Sequence, residues 1–547
     1  MKLFNKIKFV FEYKPWMVVG VIVLFGLFLR TFNLRDNVIF AYDQARDAQR
    51  IMDMVYNHKI KLVGPETDIP GVFNGVLFYV VLLPVYALTD FNPNAASLLL
   101  IMLNLAVIPV LYYFSLLLFK NKYIGYLAGF LWAISFEQIT FAKYISNASL
   151  MPLSTAIFFL GLAVCLFQKK DWGFIISIIG LGASIHFNFY LVYLVIFYPI
   201  FFLIYRTKIK IKTILLSVLL LITILFPFIV AEFKWHFPAA KGLLNYFMEH
   251  INQNKEGFSF VGIFKKYYER VSEMFYYSFI SLNKYIAGAI MIPFVILGLN
   301  NMERKKQLFL ILCLLSTLPL FVFNSGVLTV QVVNSSLFFS ITLTVASAFY
   351  FLGKKYFPLL IIIFLLIFIS SYSLIRQNNF VNNTVFASHP QLLKYEKQLI
   401  DYTYQSSQGK PFSICGVMNP LFTNTIWSFL YKTYGERKYG YLPTWAGQKQ
   451  WITDNYLAND ISHVENRYII VEPVGIPDFA RTATIYLEDK RSKLINNKYF
   501  GEYFVQERRL LKEMEKTVDT QKLPKNEVES IERIINADPR YYCYIGY

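Results

Sequence analysis

Val76-Leu-Phe-Tyr-Val-Val-Leu-Leu-Pro-Val-Tyr-Ala-Leu88 is an uncharged apolar run interrupted by Pro84. The topology of the whole chain turns on whether it crosses a membrane. At ~10–14 residues such a run is too short to span comfortably and more often lies at an interface or re-enters. Read as non-crossing, it leaves two crossings between Lys14 and Lys120, in blocks at about 16–32 and 96–118. Read as crossing, it would invert every later loop.

The loops decide between these readings. Basic residues cluster in short connections between apolar blocks: Lys2, Lys6, Lys8 and Lys14; Lys120 and Lys122; Lys169 and Lys170; Arg206, Lys208, Lys210 and Lys212; Arg304, Lys305 and Lys306; Lys354 and Lys355. Short Lys/Arg-rich loops stay cytoplasmic. Between successive clusters lie pairs of apolar blocks, at about 123–141 and 148–167, 172–186 and 187–205, 213–231 and 285–302, and 307–323 and 328–352. Each pair returns the chain to the cytoplasm, provided that Val76–Leu88 does not cross. A last block near 356–375 delivers the C-terminus to the outside.

The expected fold is therefore an α-helical polytopic membrane protein of about eleven spans, N-terminus in and C-terminus out, with a small C-terminal α/β extracytoplasmic domain. The expected division is residues 1–376 for the membrane domain, with outer loops at about 33–95 and 232–284, and 377–547 for the outer domain. Of the 547 residues 56% are hydrophobic and only 16% charged, against ~25% in an ordinary soluble protein. Blocks such as Ile214–Ala231 and Phe357–Ile375 suit a bilayer, where the backbone finds hydrogen bonds only within its own helix.

The formal charge of +18 is accounted for by these basic turns, so nucleic acid is not an expected partner. Phe, Tyr, Ile, Lys and Asn all run high together, a bias of codon usage to which no function attaches. The N-terminal lysines and apolar stretch resemble a signal peptide, but Arg30, Thr31 and Phe32 follow in place of a small-residue cleavage site. An uncleaved anchor is expected. Cys165 and Cys313 fall within spans. Cys415 and Cys543 fall outside, where a disulfide is chemically allowed, and no cysteine spacing suggests a metal.

The tail after about Gln377 changes character. Strand-like runs at Phe412–Val417 and Tyr468–Val471 alternate with helix-like stretches at Thr425–Tyr434 and Thr484–Asn496, which suggests an α/β domain. It holds no Gly-rich phosphate loop and no nucleophile elbow, so a recognition or lid role is expected. No internal repeat is evident.

Chemistry concentrates in the first outer loop, Val38-Ile-Phe-Ala-Tyr-Asp-Gln-Ala-Arg-Asp-Ala-Gln-Arg-Ile51. Asp43, Arg46, Asp47 and Arg50 share one helical face. Asp43 stands where a carboxylate can cap a helix start, so a capped helix with internal ion pairs is the plain alternative to a reactive site. Lys61–Gly75 follows, rich in turn formers and carrying Glu66 and Asp68. His186 lies at the outer end of the fifth span; an interfacial imidazole that is merely hydrated or bonded to a carbonyl is as common as a functional one. Glu137 and Lys143 flank the outer turn after the third span, where two solvated turn residues are the expected reading.

The order of these features resembles the C superfamily of glycosyltransferases (GT-C), especially bacterial relatives of protein O-mannosyltransferases (glycosyltransferase family 39) and aminoarabinose transferases. That family begins with one span and a large outer loop opening on an acidic motif. A Pro- or Gly-rich segment and an aromatic interfacial helix follow, as in Gly71–Pro84. The resemblance covers about the first 200 residues well and the later spans in outline.

It implies transfer of a sugar from a polyprenyl-phosphate carrier to a glycan, lipid or protein acceptor at the membrane surface, with inversion and with Asp43 as general base. Arg46, Lys143 and the basic residues of the second outer loop would face the leaving phosphate, and Asp47 or Asp68 would supply a second carboxylate. His186 completes the set of candidate substrate-binding residues.

There are departures. Gln44 stands where a second acidic residue is expected, and Gln331–Ser336 in the tenth span offers only neutral polar groups. No metal-ligand cluster stands out, and a divalent metal as cofactor stays open. The competing readings are a transporter or flippase of lipid-linked saccharides and a catalytically silent membrane scaffold.

Overall fold

The computed structural model describes residues 14–253, 260–281, 283–300, 302–322, 326–377, 391–421, 423–447, 455–459, 464–476, 478–489 and 492–511. Cys543 lies outside them. They divide into two compact units: residues 1–34, 60–85 and 95–388 form the first, and residues 35–59, 86–94 and 389–547 the second.

The first unit is a bundle of apolar helices. Among the described residues five pass the length and hydropathy of a membrane span: Pro93–Phe119, Asn147–Gln168, Ile211–Lys234, Leu337–Lys355 and Phe357–Leu374. The Ile211–Lys234 helix, at 24 residues, is about 36 Å long, enough for the ~30 Å hydrocarbon core. Pro15–Thr31, Trp172–Phe187 and Lys284–Asn300 are shorter apolar helices. Leu77–Leu88 has only 12 residues, a length of about 18 Å, which is well short of that core.

Two expected spans take other forms. The block at 123–141 is not one rod: Lys122–Ile134 and Phe136–Lys143 meet at a 60° bend. Ser135 leaves helical geometry at ψ 120°, its Oγ accepting from Gln138 N while its N–H donates to Leu131 O. One residue ends the first helix and starts the second. The block at 187–205 begins as a 3₁₀ stretch, Phe189–Ile196, and becomes α-helical only over Phe197–Tyr205.

Residues 232–284 hold two amphipathic helices, Pro238–Gln253 and Phe260–Ser278. Gly161 and Gly180 let Met151–Gln168 and Trp172–Phe187 approach closely, since a Cβ on either would strike the other helix's backbone. Small residues commonly serve this purpose between membrane helices.

The first unit also contains a hairpin of β1 (Val63–Glu66) and β2 (Phe73–Gly75). Its tip turns at Gly71, whose φ of +81° suits glycine and whose N–H donates to Glu66 Oε1 at 2.7 Å.

The second unit is α/β. Its sheet contains β3 (Phe412–Val417), β4 (Thr444–Trp445), β5 (Asn466–Val471), β6 (Ser492–Phe500) and β7 (Tyr503–Leu510), in the order β4-β3-β5-β7-β6. β3 runs parallel to β4 and β5, and β7 antiparallel to β5 and β6. Thr484–Asn496, expected to be helical, is split. Asp478–Asp489 is helix, and Ser492–Phe500 is a strand because it finds a hairpin partner in β7. Thr425–Leu430 is helical and continues as a π turn over Tyr431–Gly435. Cys415, buried in β3, is disulfide-bonded.

The helix Tyr42–Tyr56 belongs to this second unit. Backbone bonds run from Phe40 N to Gln391 O (2.9 Å) and from Leu393 N to Val38 O (3.0 Å), and Ile39 bridges Leu392. Lys397 closes on Asp36 at 2.6 Å. Gln49 donates to Thr425 O at 3.2 Å, and the Phe40 and Phe429 rings lie 5.3 Å apart.

Candidate functional site

The helix Tyr42–Tyr56 starts without a capping hydroxyl, because its N-cap is Ala41. The Gln44 side chain does that work: its Oε1 accepts from Ala41 N at 3.0 Å. This is the reach-back half of a capping box, and it gives a structural reason for Gln44 at a position where a carboxylate was sought. The capping expected of Asp43 is thus performed by its neighbour.

Asp43 instead projects outward, its side chain 60% exposed, with Oδ1 2.7 Å from Arg46 Nη1. Arg46 Nε lies 3.0 Å from Asp47 Oδ1, and the guanidinium sits over the Tyr42 ring. The two carboxylates differ in setting. Burial pushes the Asp47 carboxyl above its ordinary range, with the charge and hydrogen bond of Arg46 pulling it back. An accessible carboxylate beside a buried one, steered by one arginine, can accept a proton from an incoming hydroxyl while the buried partner holds the arginine in place.

The other three candidates lie in the first unit. Asp68 is exposed at the hairpin turn between β1 and β2. There Thr67 N donates to Val72 O at 2.8 Å, and Ile69 N donates to Thr67 Oγ1 at 3.2 Å. His186 is buried. Its Nε2 bonds Ile224 O at 2.7 Å, which makes that nitrogen the donor, and its ring packs 5.0 Å from Phe228. Gly75 passes directly over the imidazole, where any Cβ would collide with Nδ1. Asn74 Oδ1, next to it, accepts from Phe189 N at 3.1 Å. The imidazole is thus a packing platform for the hairpin as well as a carbonyl-bonded interfacial histidine.

Glu137 and Lys143 overturn the expectation of solvated turn residues. Both ride on the short helix Phe136–Lys143, all eight residues of which are buried, and they are 3% and 6% exposed. Glu137 Oε2 accepts from Ser278 Oγ at 2.9 Å, and the Lys143 carbonyl accepts from Ser97 Oγ at 3.1 Å. Charged side chains taken out of water are costly. Two ionisable side chains lie buried on this two-turn helix.

A further polar group holds the end of the preceding helix, Lys122–Ile134. Arg30, completely buried, donates from Nη1 to Ala133 O (2.9 Å), from Nη2 to Trp132 O (3.1 Å) and from Nε to Asn104 Oδ1 (3.3 Å). Trp132 and Ala133 end the helix before the bend, where carbonyls lose their intrahelical partners; the guanidinium replaces those partners. Asn104 Nδ2 extends the network to Gln138 Oε1 at 3.2 Å. In the sequence Arg30 stands at the end of an apolar block, and a charge so placed is a functional or structural marker by default.

Gln331–Ser336 lies on the Gly326–Lys355 helix, but most of its side chains lie outside the described ones. Among the described residues, no group of three or more His, Cys, Asp or Glu side chains converges as a metal site would.

No family model matches the chain, and no curated protein matches it by sequence. Its fold, in contrast, is found in solved structures. The crystal structure of ArnT from Cupriavidus metallidurans in the apo state superposes with a TM-score of 0.55 at 12% identity, covering 91% of this chain and 98% of that one. The structure of ArnT from the same organism bound to undecaprenyl phosphate matches with the same score and identity over 90% and 98%. The chain therefore shares its fold with these proteins over about nine-tenths of its length.

Proposed function

We propose that this chain is an integral membrane glycosyltransferase that moves a sugar from a polyprenyl-phosphate carrier to an extracytoplasmic acceptor. The observation that carries the reading is the fold likeness over nine-tenths of the chain to ArnT, one of whose structures is described as bound to undecaprenyl phosphate. The exposed Asp43 carboxylate at the head of the loop helix supplies the chemistry the reading needs.

In the proposed reaction an acceptor hydroxyl attacks the anomeric carbon of the carrier-bound sugar. The new C–O bond forms as the bond to the phosphate oxygen breaks, and the electron pair leaves on the lipid phosphate. Asp43 takes the hydroxyl proton, and a single displacement inverts the configuration. Such general-base assistance contributes ~10²–10⁴ in rate. Arg46 and Lys143 are the proposed cations for the departing phosphate. Asp47, and Asp68 at the hairpin turn, are the proposed second carboxylates, and His186 supports the hairpin.

The proposed orientation has the N-terminus cytoplasmic and the second unit outside, with about eleven crossings and Leu77–Leu88 not among them. The acceptor is a glycan, a lipid or a protein.

The test is transfer from a polyprenyl-phosphate sugar by purified protein. Wild type should transfer, and Asp43→Asn should lose at least about a hundredfold in rate. No transfer in wild type, or undiminished transfer in the variant, refutes the proposal. Asn57→Cys, at an exposed position, should label with an impermeant thiol reagent from outside the cell; labelling from the cytoplasm refutes the orientation.

A further inference from the structure

The helix bearing Asp43 docks within the second unit on two separate elements, and both are tied to one buried carboxylate. The first element is the segment at Gln391 and Leu392, which pairs with the backbone of Val38, Ile39 and Phe40. The second is the helix Thr425–Leu430, which accepts from Gln49 and packs Phe429 against Phe40. Glu472, at the end of β5 and 3% exposed, reaches both. Its Oε2 accepts from Gln391 Nε2 at 3.3 Å and from Asn419 N at 3.0 Å. Its Oε1 accepts from Trp427 Nε1 at 3.1 Å.

We infer that Glu472 is a positioning residue for the Asp43 helix, clamping together the two surfaces on which that helix rests. The inference rests on the proposed function only where it concerns catalysis. Three donors converge on one carboxylate, and the isosteric glutamine does not satisfy them all: it offers one carbonyl oxygen, and its amide meets a donor with a donor. The Gln391 backbone carbonyl accepts from Phe40 N, so loosening the Gln391 side chain loosens the bond two residues before Tyr42, where the catalytic helix begins. Asp43 touches nothing in this cluster, and Glu472 acts on it only through the docking surfaces.

The second unit gains a role from this. It is the mould for the helix Tyr42–Tyr56, and Glu472, at the end of β5, contributes geometry to a reaction whose proposed base lies more than 400 residues earlier in sequence. A proton-accepting carboxylate must be held within hydrogen-bond reach of its target, and small misplacements cost large factors in rate.

The test uses the full-length protein in detergent. Amide hydrogen exchange of peptides covering residues 36–56 should quicken about tenfold or more in Glu472→Gln, while Ile211–Lys234 and the β6–β7 hairpin keep wild-type exchange. In the transfer assay kcat should fall by a larger factor than KM for the lipid-linked donor rises, because Asp43 and Arg46, both on this helix, act where charge develops in the transition state. Wild-type exchange over 36–56 in a folded Glu472→Gln protein overturns the inference. So does equal loosening of the whole second unit, which would make Glu472 an ordinary core residue.

If Glu472→Gln does not fold, Trp427→Phe and Gln391→Met remove one donor each. Each should quicken exchange over 36–56, and unchanged exchange in both overturns the inference. Absence of transfer in wild type would sink the proposed function and leave the exchange result to decide this one.

Discussion

Replacing Arg30 by leucine removes the guanidinium that terminates the Lys122–Ile134 helix at its bend. Two carbonyls, Trp132 O and Ala133 O, lose their donors at 3.1 and 2.9 Å. Gly26 O is also bonded by Nη1, at 3.2 Å, and Asn104 Oδ1 keeps the Trp132 indole at 3.2 Å, so the cost falls mainly on the first two. A buried group left without a partner costs about 1–3 kcal/mol, giving ~2–6 kcal/mol for the pair. Part of this is offset because the variant no longer buries a charge.

The expected outcome is a fall of several degrees in the melting temperature of the purified protein in detergent. Faster exchange should be confined to residues 122–143. Arg30→Lys should recover little, since an ammonium cannot span two carbonyls and an amide with the planar fork of arginine. A melting temperature unchanged in Arg30→Leu would refute the assignment of Arg30 as the cap of the bend. The transfer rate should fall too, because the helix after the bend carries Lys143.

Three further outcomes follow from particular contacts. Gly75→Ala places a Cβ on the His186 imidazole and should lower the melting temperature. Gly75→Ala combined with His186→Ala should lose less than the sum of the two single variants, a coupling of the kind expected between touching residues. Lys143→Met should lower kcat more than it raises KM for the polyprenyl-phosphate donor, since its proposed charge acts on the departing phosphate, read from steady-state kinetics in detergent.

Burial pushes the Glu472 carboxyl from an ordinary 4.5 up to about 7, with its three donors pulling the other way. The folded unit therefore holds this proton more tightly than the unfolded chain. The stabilisation is complete below about pH 4.5 and is lost as pH rises through about 7. A gain of about 3 kcal/mol in the second unit should appear at pH 5 relative to pH 8.5, measured by exchange of β5 and β7 amides after correction for intrinsic rates. Flat stability over that range would refute the protonation assignment.

Much of the membrane domain was legible in the residue order because a bilayer imposes a one-dimensional rule. The backbone must bond to itself over long apolar runs, and Ile211–Lys234 and Phe357–Leu374 satisfy that rule locally. The same locality made β3 and β5 readable from short apolar runs, and Asp43, Arg46 and Asp47 readable as one helical face.

Other features depended on partners distant in sequence. The bend at Ser135 requires Arg30, about a hundred residues earlier, to take up the carbonyls it frees. Glu137 and Lys143 look like turn residues until Ser278 and Ser97 come to meet them. The strand Ser492–Phe500 forms only because β7 pairs with it. The loop helix is the clearest case. Its amphipathic pattern and acidic face are written in residues 38–51, but its docking surfaces come from residues 391–392 and 425–429. Hydrogen bonds between such remote segments leave no periodicity in the sequence, so only the tertiary structure could join Asp43 to the domain that holds it.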